Sequence, residues 1–329
     1  MSSGSAPGGA KPNSGVPLLD RRLLFVTGKG GVGKTTIAAA LGLLAAERGK
    51  RTLVAEVDAK GNLADYFEVP PFGFEPRDVT PNLCAMAMHT EESLKEYLRL
   101  QLHIPLVARI GPLARTFDFV ANAAPGVKEV LTVGKFLWEV RERHYDLLVV
   151  DAAATGHIVA QLAAPQGIRE LVKVGLVREQ TGWMLDLISD PAVTGAVIVA
   201  SPEEMPVNET IELAGRIREE TTVDLAAVIV NRVLPELFGR GEETVFEALR
   251  TPVGVKALRA AVGGPVDIVL DAAELAVTLR RTRAGHLARL REGLAGQTEL
   301  LYVPELFVRH HGMRATRQVA EALGEELGV

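Results

Sequence analysis

Short runs of apolar, β-branched residues recur along the chain. Each is bounded by turn residues, and most are followed by a stretch whose apolar positions repeat with helical spacing. The runs are Leu23 to Thr27, Thr52 to Val57, Leu83 to Ala87, Leu147 to Val150, Ala196 to Ala200, Ala226 to Val230 and Leu300 to Val303. They are apolar on both faces, as strands are when helices cover a parallel sheet on each side. The alternation of strand and helix predicts an α/β fold with a doubly wound, mostly parallel sheet of seven strands.

Two regions depart from this alternation. Residues 91–143 carry no strand-like run but space Leu94, Leu98 and Leu102, then Val130, Val133, Phe136 and Val140, as helices do, with Pro105, Pro112 and Pro125 as breaks. Together with a helical pattern over residues 168–190 they predict a helical subdomain inserted into the main domain, 19–329. A long apolar-periodic helix is expected from Val266 to Leu294, and a closing helix from Met313 to Leu327 that covers the sheet. Residues 1–18, rich in Ser, Gly, Pro and Ala at their start, read as a disordered tail.

Composition narrows the class. Apolar residues make up 47% of the 329 and charged residues 23%, which excludes disordered and fibrous chains. The formal charge of −5 offers no general attraction to nucleic acid or anionic lipid, so no nucleic-acid partner is expected. One cysteine, Cys84, allows neither an intrachain disulfide nor a cysteine-based zinc site, so no zinc is expected, and on its apolar run it reads as a small core residue. The most apolar stretch, Leu147 to Ala164, is interrupted by Asp151 and His157, short of the about 20 apolar residues a spanning helix needs. A cytoplasmic location is expected.

The strongest chemical signal is Thr27 to Thr36, TGKGGVGKTT, between the first strand run and an Ala- and Leu-rich helix. It contains G-x-x-x-x-G-K-T from Gly28 to Thr35. Gly28, Gly30, Gly31 and Gly33, with Val32 between them, let backbone N–H groups turn inward around phosphate oxygens, and the following helix N-terminus adds its partial positive charge. Lys34 would reach the β and γ phosphates, the Thr35 hydroxyl would ligate Mg²⁺, and Thr36 completes the loop. The same stretch also holds G-x-G-x-x-G, the dinucleotide fingerprint. Gly-Lys-Thr-Thr decides for a nucleoside triphosphate, because a dinucleotide turn needs neither a lysine nor a metal-ligating hydroxyl there.

Lys29 gives K-G-G-x-G-K-T-T, which resembles the deviant Walker A loop of the family that includes the arsenite-pump ATPase ArsA, the guided-entry ATPase, MinD, ParA and dinitrogenase reductase. The resemblance implies a P-loop NTPase fold, ATP and ADP as ligands, Mg²⁺, and a first lysine that reaches a partner subunit's nucleotide; a solvated loop lysine is the plainer reading of Lys29. Asp58 to Asn62, DAKGN, resembles the D-P-A-H-N switch, with Asp58 on the water-activating aspartate; a plain helix N-cap is its competing reading. Leu147 to Asp151 has the Walker B pattern, with Asp151 at the metal. Asp151 to His157, DAAATGH, resembles the D-T-A-P-T-G-H switch of the ArsA and guided-entry branch. For His157 a packed core histidine competes with a switch role. Ser201 to Thr210 resembles P-E-x-x-x-x-x-E-T, Asn231 falls on the asparagine that reads adenine, Pro304 on the loop over the base, and Pro125, Gly126 and Glu129 on P-G-x-x-E.

These residues imply a bacterial single-domain ATPase of the ArsA and guided-entry type. A single phosphate loop implies a homodimer, or a heterodimer with a paralogue, acting on a membrane-protein client or a membrane pump partner. The apolar residues Leu98, Leu100, Leu102, Ile104, Leu106, Val107, Ile110 and Leu113 could line a client groove or simply fill a helical core. A MinD- or ParA-like positioning protein and a low-turnover regulatory subunit, the latter suggested by Ala59, Ala152 and Ala154, are the rival readings. The run Arg280, Arg281, Arg283, His286, Arg289 and Arg291 reads as a solvated face.

Overall fold

The computed structural model describes residues 14–57, 62–93, 96, 127–171, 176–236, 238–239, 241–307 and 312–329. The strands are β1 (Leu23–Gly28), β2 (Thr52–Glu56), β3 (Arg77–Thr80), β4 (Leu83–Ala87), β5 (Leu147–Asp151), β6 (Thr194–Ala200), β7 (Asp224–Val233) and β8 (Glu299–Pro304). They form one sheet in the order β3-β4-β2-β5-β1-β6-β7-β8. Every pair is parallel except β3 with β4. The expected doubly wound α/β architecture is therefore present, with one correction: the sheet has eight strands among the described residues, not seven. The additional strand, RDVT, lies at the sheet edge with two exposed and two half-buried residues, so it never needed the apolar run by which the others were read.

Ten helices are described: α1 (Lys34–Glu47), α2 (Asn62–Phe67), α3 (Val127–Arg141), α4 (Thr155–Leu171), α5 (Leu176–Ser189), α6 (Glu204–Glu220), α7 (Glu242–Leu249), α8 (Pro252–Val262), α9 (Asp267–Leu294) and α10 (Met313–Glu326). The long helix and the closing helix fall where the periodicity put them. Helix α1 is apolar all round, and eleven of its fourteen residues are buried, because the sheet lies on one side and α10 and α2 on the others. Its alanines leave room for that three-sided packing.

Two cores sandwich the sheet. On one face Leu24, Val26, Val54, Val149 and Val197 meet Ile37, Leu41 and Leu44 of α1 and Val319 and Leu323 of α10. On the other, Leu23, Phe25, Leu53, Leu148 and Ile198 meet Phe136, Leu137, Ile158, Leu162, Leu185 and Ile217. Alternate strand residues feed alternate cores, as the period of two requires. Phe25 and Phe136 lock α3 to the sheet edge to face, with ring centroids 6.4 Å apart. Within the expected insertion, α3 and α5 thus share the second core with α4; all of the expected groove residues, Leu98 to Leu113, lie outside the described residues, as do residues 1–13 of the expected tail. Leu18, the last residue of that tail, is buried at 2% in a short 3-10 turn.

The run of basic residues on α9 is a solvated face, with Arg281, Arg289 and Arg291 exposed, and three of its six members also make surface ion pairs. Arg281 meets Glu243 and Glu247 of α7 at 3.2 and 3.4 Å, Arg280 meets Glu236, and Arg283 meets Glu305 and the Arg232 carbonyl. Cys84 is half-buried rather than fully enclosed. Its thiol donates to Asp78 of β3 at 3.1 Å, and burial, with the Asp78 carboxylate beside it, pushes its pKa up to about 11. Among the described residues no helix is long and apolar enough to cross a membrane.

Candidate nucleotide site

Because seven strands run in parallel, their carboxyl ends share one edge, and β1 lies at its centre between β5 and β6. Ligands of open α/β sheets bind in the crevice at such an edge. The loop after β1 turns sharply there. Gly28 has φ +146°, and a Cβ on it would lie 2.2 Å from the Val199 carbonyl oxygen of β6, so only glycine lets the loop leave the sheet this closely. Gly33, with φ +96°, caps the N-terminus of α1, and the Ile37 N–H closes on its carbonyl at 3.0 Å. Gly30 and Gly31 are exposed, and a Cβ on either would meet nothing within 4 Å. The loop therefore runs, exposed to solvent at Gly30 and Gly31, from the carboxyl end of β1 to the N-terminus of a fourteen-residue helix, whose first N–H groups lack intrahelical acceptors and suit an anion.

Side chains complete the rim. Thr35 donates from Oγ1 to Oδ2 of Asp151 at 2.6 Å, so the hydroxyl at the head of α1 and the carboxylate ending β5 already touch. Lys34 donates from Nζ to the Lys29 carbonyl at 3.3 Å. The Thr36 hydroxyl is bonded to that of Tyr66 on α2 at 3.0 Å, and Val32 is buried beneath the loop. Thr27 ties the loop strand to the segment after β5, donating to the Ala153 carbonyl at 2.9 Å.

A profile of the anion-transporting ATPase family matches residues 21–186 and 169–250. The chain is similar to ATPase BagA of Mycobacterium tuberculosis, with 31% identity over 93% of this chain and 90% of that protein. It is also similar to a putative arsenical pump-driving ATPase of Halobacterium salinarum, with 30% identity over 68% of this chain and 37% of that protein. ATPase GET3 of Chaetomium globosum is 33% identical over 51% of each. The chain belongs to the anion-transporting ATPase family. As an ATPase of this family it binds nucleotide and hydrolyses ATP, and the phosphate loop is the part of its fold suited to that chemistry.

The remaining candidate residues of this ATPase lie as follows. Asn231, near the end of β7, is 6% exposed; its amide donates to the Val32 carbonyl at 2.9 Å and accepts from the Arg232 N–H at 2.9 Å. Its side chain therefore braces the phosphate loop. Arg232, at φ +61°, lies in the register irregularity of the β7–β8 pairing between Val230 and Val233. Pro304 ends β8, exposed, opposite Val233. Asp58 lies outside the described residues, while Asn62 opens α2. His157 is exposed on the first turn of α4, which rules out the packed core histidine.

One residue of this edge escaped the motif reading, and a second, Glu209 of the P-E-x-x-x-x-x-E-T element, is placed by its motif without a partner. Glu56, 2% exposed, ends β2 in register with Asp151, so two carboxylates stand side by side on the face toward α1. The sequence signal was a charge closing the otherwise apolar run TLVAE. Glu209 and Met205 of α6 both hold Lys29: its ammonium donates to Glu209 Oε1 and approaches Met205 Sδ at 2.9 Å. Only folding brings residues so far apart in the chain together.

Proposed function

We propose that this ATPase is Mg²⁺-dependent and works as a nucleotide-switched pair of subunits, acting on a membrane-protein client or a membrane pump partner. The Thr35–Asp151 contact beneath the phosphate loop carries this reading, since it supplies two hard oxygen donors at the mouth of an anion cradle. Such donors fit magnesium, which takes one or two protein oxygens and completes its shell with phosphate oxygens and water. Thr35 and Asp151 would hold it, and bound there it would draw charge off the β and γ phosphoryl oxygens. Backbone N–H groups of residues 28–36 cradle the phosphates. Lys34 releases the Lys29 carbonyl and neutralises the β and γ oxygens. Asp58 aligns a water for in-line attack on the γ phosphorus; the bond to the β-bridging oxygen breaks, leaving ADP and inorganic phosphate.

Asn231 and Pro304 bound the adenine, and Lys29 stabilises charge on the partner's phosphates. A second copy of this chain, or a paralogue, supplies the other half. The names of the relatives point the same way: one is described as driving an arsenical pump. The helical subdomain of residues 91–143 and 168–190 is the proposed docking region for the client. The test is phosphate release by the purified chain with ATP and Mg²⁺. Lys34→Ala should lower it by about 10²–10³-fold, the usual cost of removing one preorganised charge stabiliser. An unchanged rate in that variant, or full activity in excess chelator, overturns the reading.

A further inference from the structure

We propose that Glu209 is a latch that holds Lys29 within its own subunit until a second subunit presents a triphosphate. The proposal rests on the paired reading above and adds a residue and a sequence of events to it. The ammonium of Lys29 has three N–H donors; here one goes to the Glu209 carboxylate, and Met205 Sδ lies 2.9 Å away. Lys29 is half-buried in the phosphate loop, whereas Glu209 lies in the second turn of α6, an element that packs against β1 and β6. The latch therefore spans the loop and the rigid sheet layer beside it.

In this arrangement Lys29 cannot serve another subunit's phosphates without leaving Glu209. A triphosphate carries several negative charges on oxygens that accept from an ammonium at least as well as one carboxylate does, so it can displace Glu209; a subunit without nucleotide offers nothing that can. The side chains of Lys29 and Glu209 are 26% and 33% exposed, so water already competes for both ends and the pair can open without stranding a buried charge. The latch thereby makes pairing depend on nucleotide, and it sets how much protein is needed before pairs form.

The experiment measures self-association of the full chain by sedimentation velocity, with a non-hydrolysable ATP analogue and Mg²⁺. Wild type is compared with Glu209→Gln, Lys29→Met and the double variant. Glu209→Gln keeps the size and polarity of the side chain but removes its charge. It should lower the protein concentration at half-association by about four- to twenty-five-fold, the square of the roughly two- to five-fold equilibrium factor of one partly exposed ion pair, because each subunit of the pair opens its own latch. In the Lys29→Met background the same change should do nothing, because the latch has no bolt to hold. No shift, or weaker association, with Glu209→Gln beside intact Lys29 overturns the latch, as does an equal shift in both backgrounds. If wild type pairs but Glu209→Gln has no effect, the latch alone fails. If no chain pairs at any concentration, the paired reading fails and the latch falls with it. Thermal melts confirm folding, and Glu209→Ala replaces Glu209→Gln in the same comparison should the latter not fold.

Discussion

Gly33 and Asn231 meet beneath the phosphate loop, and their contact makes a quantitative prediction. Alanine at 33 would have to hold φ near +96°, which costs an L-residue about 1–2 kcal/mol. Its Cβ would lie 2.3 Å from Nδ2 of Asn231, so the amide must swing off the Val32 carbonyl. Leaving that buried carbonyl without its donor costs about 1–3 kcal/mol more, for a total of about 2–5 kcal/mol. Asn231→Ala loses the same Val32 bond but introduces no clash, so alone it should cost about 1–3 kcal/mol. In the double variant that bond is lost once, not twice. The two changes should therefore fall short of additivity by about 1–3 kcal/mol. Urea denaturation of the four chains, at equal slope, measures the cycle, and calorimetry with ATP should show weakened binding in both single variants. Additive costs, or a Gly33→Ala penalty below about 0.5 kcal/mol, would refute the claim that Asn231 braces the loop.

Three further outcomes are expected. Arg21, with no exposure, is paired with Asp224 at 2.6 Å at the edge of the sheet opposite the nucleotide; Asp224→Ala should cost about 3–5 kcal/mol in stability yet leave the KM for ATP unchanged, and a shifted KM would contradict that separation. The Cys84 thiol, with its pKa near 11, should stay protonated at pH 8 and alkylate slowly until the protein unfolds. The unfolded chain loses this proton first as pH rises, so the thiol's contribution to stability, intact below its unfolded pKa, should decline as pH climbs toward 11; fast labelling of the native protein at pH 8 would count against it. The two tryptophans, Trp138 on α3 and Trp183 on α5, lie 6.5 Å apart with Arg141 over both rings, so ATP-driven movement of α3 against α5 should change tryptophan emission; saturating ATP without any change would mean that these helices do not move.

Much of this protein was legible in one dimension because the physics involved is local. A phosphate loop needs a run of glycines, a lysine and a hydroxyl within ten residues, and a strand buried on both faces must be apolar throughout, so TGKGGVGKTT and LLVVD announced themselves. Their meeting at one edge also followed from sequence, since strand-helix alternation forces parallel strands whose ends coincide. The edge strand RDVT was invisible because half-solvated residues carry no apolar pattern. Arg21 with Asp224, the bracing of the loop by Asn231, and the hold of Glu209 on Lys29 could not be read at all. Each joins residues more than 170 positions apart, and no spacing rule relates such positions. The sequence by itself determined which groups are suited to bind phosphate; the tertiary structure decided which partners they hold within the chain, because a charge or amide takes the partner that chain packing puts within its reach.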